Sequence, residues 1–314
     1  MGHAAGYFAA TEINKRLGLE SADDLWSWLN SSDLSLAPMS WQLDAGENLV
    51  FRGQANAAHG LSSKLYRDLR EGLAAQGIKN FGEKELAEAE RAVIGLARDE
   101  GVGRNMSDGQ LLAVLQHHGV ATRLLDVSKA PLEALFFAVD DHADLDGRLF
   151  CFFLHPDSAG ATQRLLLSDP DLPWHGSARG RYAKSDWTST VALVDEANLD
   201  PRMHAQRGAF LVGGLNRRYK GDRWAYPGHE PTAADLMEIS TLRVNFLKVR
   251  TGKPNASYAA SGWTIRIEAA WKSDLRKRLQ DIDPPITFDS MYPPVTELRR
   301  LAAREIRGWT PHGP

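Results

Sequence analysis

Leu149-Phe150-Cys151-Phe152-Phe153-Leu154 places six apolar residues in a row. A run this short cannot cross a bilayer as a helix, which takes about 20 residues. With the turn-like stretch 140–147 before it, the run reads as a strand buried on both faces. Around it, helical patterns come mostly early and strand patterns mostly late. That order favours an α+β fold over a doubly wound sheet. The chain has 314 residues, 43% of them apolar and 25% charged, enough for a sizeable core. No convincing linker, repeat or low-complexity tract divides it, so it reads as one domain with loop insertions.

The elements follow from local pattern. Ser21-Ala22-Asp23-Asp24 caps a helix carrying Leu25, Trp28 and Leu29. Residues 47–51 form a short strand that delivers Arg52 at its end, while 61–70 has no clean period. Residues 83–99 give the clearest helix, with Leu86, Ala89, Val93, Leu96 and Ala97 as its expected apolar stripe. Ser107 and Gln110 make a capping box for a helix running to His118, and Gly119 suits the left-handed residue that ends it. Residues 120–127 look β-like, and Ser128 with Pro131 opens the next helix, whose stripe is Leu132, Leu135, Phe136 and Val139. Later strands are expected at 190–194, 209–212, 242–249 and 263–268, with a last helix over 271–282. Two long polar stretches, 168–189 and 216–232, have the character of lids or binding loops.

Composition narrows function by exclusion. A formal net charge of −3 argues against a dedicated polyanion binder. Cys151 is the single cysteine, which rules out a disulfide framework and a thiolate metal site. There is no apolar run of about 18 residues and no basic-then-apolar start, so the expected location is the cytoplasm, with no membrane attachment. Nucleophilic-serine, phosphate-loop and dinucleotide signatures are all missing.

Three polar knots remain, each at the end of an apolar element. They are Phe51-Arg52-Gly53-Gln54, Gln116-His117-His118-Gly119-Val120-Ala121-Thr122-Arg123-Leu124-Leu125-Asp126, and Arg202-Met203-His204-Ala205-Gln206-Arg207-Gly208-Ala209-Phe210. Burying such groups without partners is costly, so each knot is either a site or a hydrogen-bonded network. Arg52 offers a fixed fork of donors to a phosphate or carboxylate, and Gly53 lets backbone come close to a ligand. The structural alternative is an Arg52–Asp126 ion pair. His118 extends an apolar stripe and reads as a core histidine, whereas His117 points off that stripe toward a possible ligand. Adjacent histidines diverge at a helix end, and no third ligand has metal spacing, so no metal is expected. The segment from Arg217 to Tyr226 mixes cations with aromatics, which suits single-stranded nucleic acid or a solvated surface loop.

Together the knots resemble the FRG domain family, named for its Phe-Arg-Gly motif. Residues 51–54 carry that motif, followed by Leu61-Ser62-Ser63-Lys64-Leu65-Tyr66-Arg67. Residues 116–137 match the family's central block, and Arg202, Gln206, Gly208 and Phe210 its later pattern. Val127 departs, since the family usually has tryptophan there. The resemblance implies an FRG domain over 41–300, after a helical extension at 1–40 and before a tail at 301–314. It further implies a remote ADP-ribosyltransferase-like fold, a split mixed or antiparallel sheet flanked by helices. NAD would be the substrate, cleaved at the nicotinamide–ribose bond, in a bacterial toxin or phage-defence system with an antitoxin or nucleic-acid target as possible partner. On that view Gln206, Arg52 and His117 are the catalytic candidates. Arg52, Gly53, Gln54, His118, Thr122, Arg123 and Gly208 would hold the dinucleotide, with Thr122 or Ser128 near the second motif. Gln206 stands where transferases commonly carry glutamate, so a non-catalytic nucleotide- or nucleic-acid-sensing module is the alternative.

Overall fold

The apolar run at 149–154 lies inside a strand, Gly147–Leu154, every residue of which is buried. It sits within a mixed eight-stranded sheet in a computed structural model that describes residues 3–31, 48–155, 163–168, 172, 174–175, 191–194, 201–215, 233–246 and 259–292. The strands are β1 (Leu49–Gln54), β2 (Leu125–Ser128), β3 (Gly147–Leu154), β4 (Gln163–Leu165), β5 (Val191–Val194), β6 (Gly208–Gly213), β7 (Asn245–Phe246) and β8 (Ala260–Ile267). Their order is β4-β5-β6-β2-β1-β3-β8-β7. Among the described strand pairs, only β4–β5 and β7–β8 run parallel. The fold is therefore α+β, as the element order suggested.

The described helices are α1 (His3–Ala9), α2 (Asn14–Leu17), α3 (Ala22–Leu29), α4 (Lys64–Ala75), α5 (Glu83–Asp99), α6 (Asp108–His117), α7 (Pro131–Val139), α8 (Pro201–Ala205), α9 (Ala233–Ile239), α10 (Ala269–Asp281) and α11 (Phe288–Met291). One sheet face packs Phe51, Cys151, Trp263 and Ile265 against α3, α7 and α10. The other gathers Val50, Phe150 and Phe152 with Phe8 of α1, whose ring meets Phe150 edge-on at 4.9 Å. Each fully buried aromatic or aliphatic side chain contributes about 1.5–3 kcal/mol, which is why a strand with no wet face anchors the architecture. A third cluster seats α5 and α6 on β4, β5 and β6. Burial pushes the Cys151 thiol up in pKa, so it behaves as a small apolar residue.

Several local readings hold: the Ser21 cap, the Ser107–Gln110 capping box, Pro131 at the start of α7 and a left-handed Gly119 (φ 78°). Others need correction. Residues 61–70 conceal the start of α4, whose Leu65 and Tyr66 are buried while Arg67 is exposed; residues 61–63 precede the helix, so a window opening at Leu61 hides its period. The expected strand 120–127 shrinks to Leu125–Ser128, because Thr122 and Arg123 turn their side chains to other partners before any ladder begins. The α5 stripe is rotated: Leu86, Ala87, Glu90, Ile94 and Ala97 are buried, and Leu96 is 64% exposed. The stretch 216–232 and most of 168–189 lie outside the described residues, as does the side chain of Arg202. No described helix is long and apolar enough to cross a membrane.

Candidate functional site

β1 and β3 share six register pairs, but β1 and β2 share one, Phe51 with Ser128. Beyond that pair the two strands part, and a cavity of about 700 Å³ opens beside them. Its size is that of an ordinary small-molecule site. Arg52 and Gln54 line it from β1, His117 from the end of α6, Asp126 and Ser128 from β2, and Gln206 from the turn before β6. Phe137 and Tyr292 supply aromatic wall, and Arg67 and Arg70 enter from α4.

Arg52 spans the parting strands. Its Nη1 donates to the Asp126 carbonyl at 2.6 Å and lies 3.6 Å from the Asp126 carboxylate, so the structural ion pair weighed from the sequence is present. The side chain is 22% exposed, and its buried Nε has no partner among the described residues. One side of the fork is thus fixed while another edge is uncommitted. Gln54 is similar: Nε2 donates to the Gly60 carbonyl at 3.0 Å, and Oε1 has no partner.

Ser128, two residues past the second knot, ties that region to the third. Its hydroxyl donates to the Gln206 carbonyl at 2.8 Å and accepts from the Ala130 N–H at 3.1 Å. Arg207 follows in the left-handed region (φ 45°), an uncommon conformation for arginine, and turns the chain from α8 into β6. Gln206 Nε2 donates to the Met291 carbonyl at 2.9 Å, which leaves Oε1 as the accepting end of the amide. Gln116 also serves the site, donating to Asp126 at 3.1 Å while accepting the Thr122 hydroxyl at 2.6 Å.

The remaining expected ligand contacts fall elsewhere. Thr122 is fully buried and serves Gln116, so of the two second-motif candidates Ser128 is the one at the cavity. Arg123 is 2% exposed and lies away from the cavity: its Nε donates to Glu90 at 3.0 Å and its Nη1 to Glu83 at 2.7 Å. Glu90 also accepts from Trp174 Nε1 and His175 Nε2, both at 2.6 Å, and Arg123 lies 5.7 Å from the Trp174 ring centre. Burial alone would raise the Glu90 pKa, but Arg123 first, then His175 and Trp174, hold it below the usual carboxylate range. His118, expected in the core, is exposed as the residue that ends α6. A Cβ on Gly208 would meet Met203 of α8 rather than the cavity.

Gly53 lines the cavity, yet its missing side chain admits a helix and not a ligand. A Cβ there would stand 1.9 Å from the Ala134 carbonyl oxygen and 2.7 Å from the Ala138 nitrogen, both backbone of α7. Gly53→Ala must push α7 off the sheet, and overpacking of this kind typically costs about 1–3 kcal/mol. A lowered denaturant midpoint without any ligand is the expected result; an unchanged midpoint would show that α7 gives way freely.

Arg67, Arg70, His59, His142 and Glu238 also line the cavity and were not anticipated. Arg67 ended a quoted motif, and the three-residue spacing to Arg70 was the available signal. Residues 47–147 match the family model of the FRG domain. This stretch is an FRG domain. It contains Arg52, Arg67, His117 and Ser128, while Gln206 lies beyond it. No curated protein and no solved structure matches the chain.

Proposed function

We propose that the cavity binds NAD and that the protein is an NAD-dependent ADP-ribosyltransferase of FRG type. The observation that carries this reading is that Arg52, His117 and Gln206, from three separate sequence knots, line one cavity where β1, β2 and β6 adjoin. In the reaction, the bond between nicotinamide and the ribose breaks, and nicotinamide leaves with the bonding electrons. The ribose carbon becomes cation-like and is taken by an acceptor nucleophile. Arg52 holds the phosphates or ribose with its uncommitted edge, and Gln206 accepts a ribose hydroxyl through Oε1. Positioning and fixed dipoles supply most of the acceleration. The family resemblance extends the proposal to a role in a toxin or phage-defence system.

A second reading is a nucleotide-sensing module without catalysis. It is favoured by the amide at 206, which provides no negative charge to a developing cation. A thermal-shift titration with NAD, followed by assay of released nicotinamide, separates the two. Melting temperature should rise with NAD, and Arg52→Ala should abolish that rise while the ligand-free transition stays near wild type. Without a rise in wild type, both readings of the cavity as a nucleotide site fail. Unfolding of Arg52→Ala without ligand would make its bond to Asp126 its main role.

A further inference from the structure

Arg67 and Arg70 stand three residues apart on α4, hence on one side of the helix, and both line the cavity. Carboxylates answer two of the cavity's three arginines. Asp126 lies 3.6 Å from Arg52, and Glu238 lies 3.6 Å from Arg70. Arg67 has no carboxylate within ion-pair distance among the described residues; its Nη1 donates instead to the neutral Ser62 carbonyl. His59 lines the same region, with Asn56 Nδ2 at 3.4 Å from its Nε2. Partial desolvation of its guanidinium, and after it the nearby Arg52, holds the Arg67 pKa below its ordinary value, although Asp68 opposes this. Partial desolvation, then Arg67 and His142, does the same to His59, whose side chain is otherwise exposed. Arg52 and Arg70 thus act on Arg67, and Arg67 acts on His59, with no carboxylate paired to Arg67 among the described residues, so an anion bound beside Arg67 would relieve the repulsion.

We propose that Arg67, with Arg52 and His59 beside it, forms a phosphate subsite that takes the pyrophosphate of a nucleoside-diphosphate group. This rests on the reading of the cavity as a nucleotide site and adds where the phosphates lie. A planar guanidinium fork matches phosphate oxygens in pairs, which a lysine cannot do. With the pyrophosphate at α4, the wall formed by Gln206 and Tyr292 is left for the sugar and base.

Calorimetric titration of the whole chain with ADP and with adenosine tests the subsite, since the two differ only in the diphosphate. ADP should bind about 10- to 100-fold tighter than adenosine, the range expected for hydrogen bonds to a charged group. Arg67→Ala should bring ADP down to the adenosine level without moving adenosine, and Arg67→Lys should retain part of the difference. Equal binding of the two probes by wild type would overturn the proposal, as would no ADP binding or an Arg67→Ala protein that keeps its ADP affinity. The wild-type comparison and Arg67→Lys decide the matter if Arg67→Ala does not fold. ADP binding through Arg67 without nicotinamide release from NAD would refute the transferase and keep the subsite. Unimpaired release by Arg67→Ala would refute the subsite and keep the transferase.

Discussion

Glu90→Ala should destabilise the fold by about 3–5 kcal/mol, the usual cost of stripping one partner from a buried ion pair. A domain is typically stable by only about 5–15 kcal/mol, so a large part of the population would be unfolded under mild denaturant. The cause is specific. Glu90 is fully buried and receives three donors, Arg123 Nε, Trp174 Nε1 and His175 Nε2. Alanine removes the acceptor but not the donors, and the Arg123 charge is left with Glu83 alone. Glu90→Gln keeps an oxygen acceptor and loses the charge, so its midpoint should fall between wild type and alanine. Acid provides a second check. Because the folded-state pKa of Glu90 is lowered, its contribution is present above the ordinary carboxylate value of about 4.3 and is lost as pH falls through the folded value. Glu90→Ala should therefore flatten the acid limb of the stability curve. Equilibrium urea unfolding at several pH values measures both effects. A loss below about 1 kcal/mol would show that water reaches the network.

The same network explains where the sequence was readable and where it was not. Capping signals are local, so Ser21, Ser107 with Gln110, Pro131 and Gly119 stand where their chemistry requires. The bounds of α5 were equally clear, but its buried face was not, because a residue that its charge assigns to solvent, Glu90, lies on the buried side. Glu90 is in the core only because Arg123, 33 positions later, meets it there. That pairing also removes Arg123 from the cavity and ends the strand pattern early, so one long-range ion pair accounts for three misreadings. The central block gave the right neighbourhood: His117 and Asp126 line the cavity. Density of polar residues could not separate these from Thr122 and Arg123, which are just as polar and fully engaged inside. Arg67 and Arg70 were missed for the opposite reason. They sit on α4, whose apolar period of Leu65, Tyr66 and Leu69 is masked when it is read from Leu61, ahead of the helix.

Gln206→Ala should leave NAD binding nearly unchanged and reduce nicotinamide release about 10²- to 10³-fold, the loss of one transition-state hydrogen bond. Binding is spared because, on the proposed reading, the phosphates are held at Arg67 and Arg52, and Gln206 offers the ribose a single acceptor. Gln206→Glu is the more informative substitution. Nε2 now donates to the Met291 carbonyl at 2.9 Å, and a carboxylate would set oxygen against oxygen at that point. The cost is the lost bond plus a carbonyl left without its donor, about 1–3 kcal/mol of stability. Against this, a full negative charge would stand beside a ribose carbon that turns cationic as nicotinamide departs. Such a charge stabilises the transition state more than the ground state, and only that difference accelerates the reaction. Gln206→Glu should thus melt earlier than wild type yet release nicotinamide at an equal or higher rate. Turnover gained by Gln206→Glu from a wild type that has none would make the natural protein a nucleotide sensor, whose amide at 206 is held by α11. Loss of release in Gln206→Glu, with NAD binding intact, would show that the Met291 bond fixes the amide in its working position.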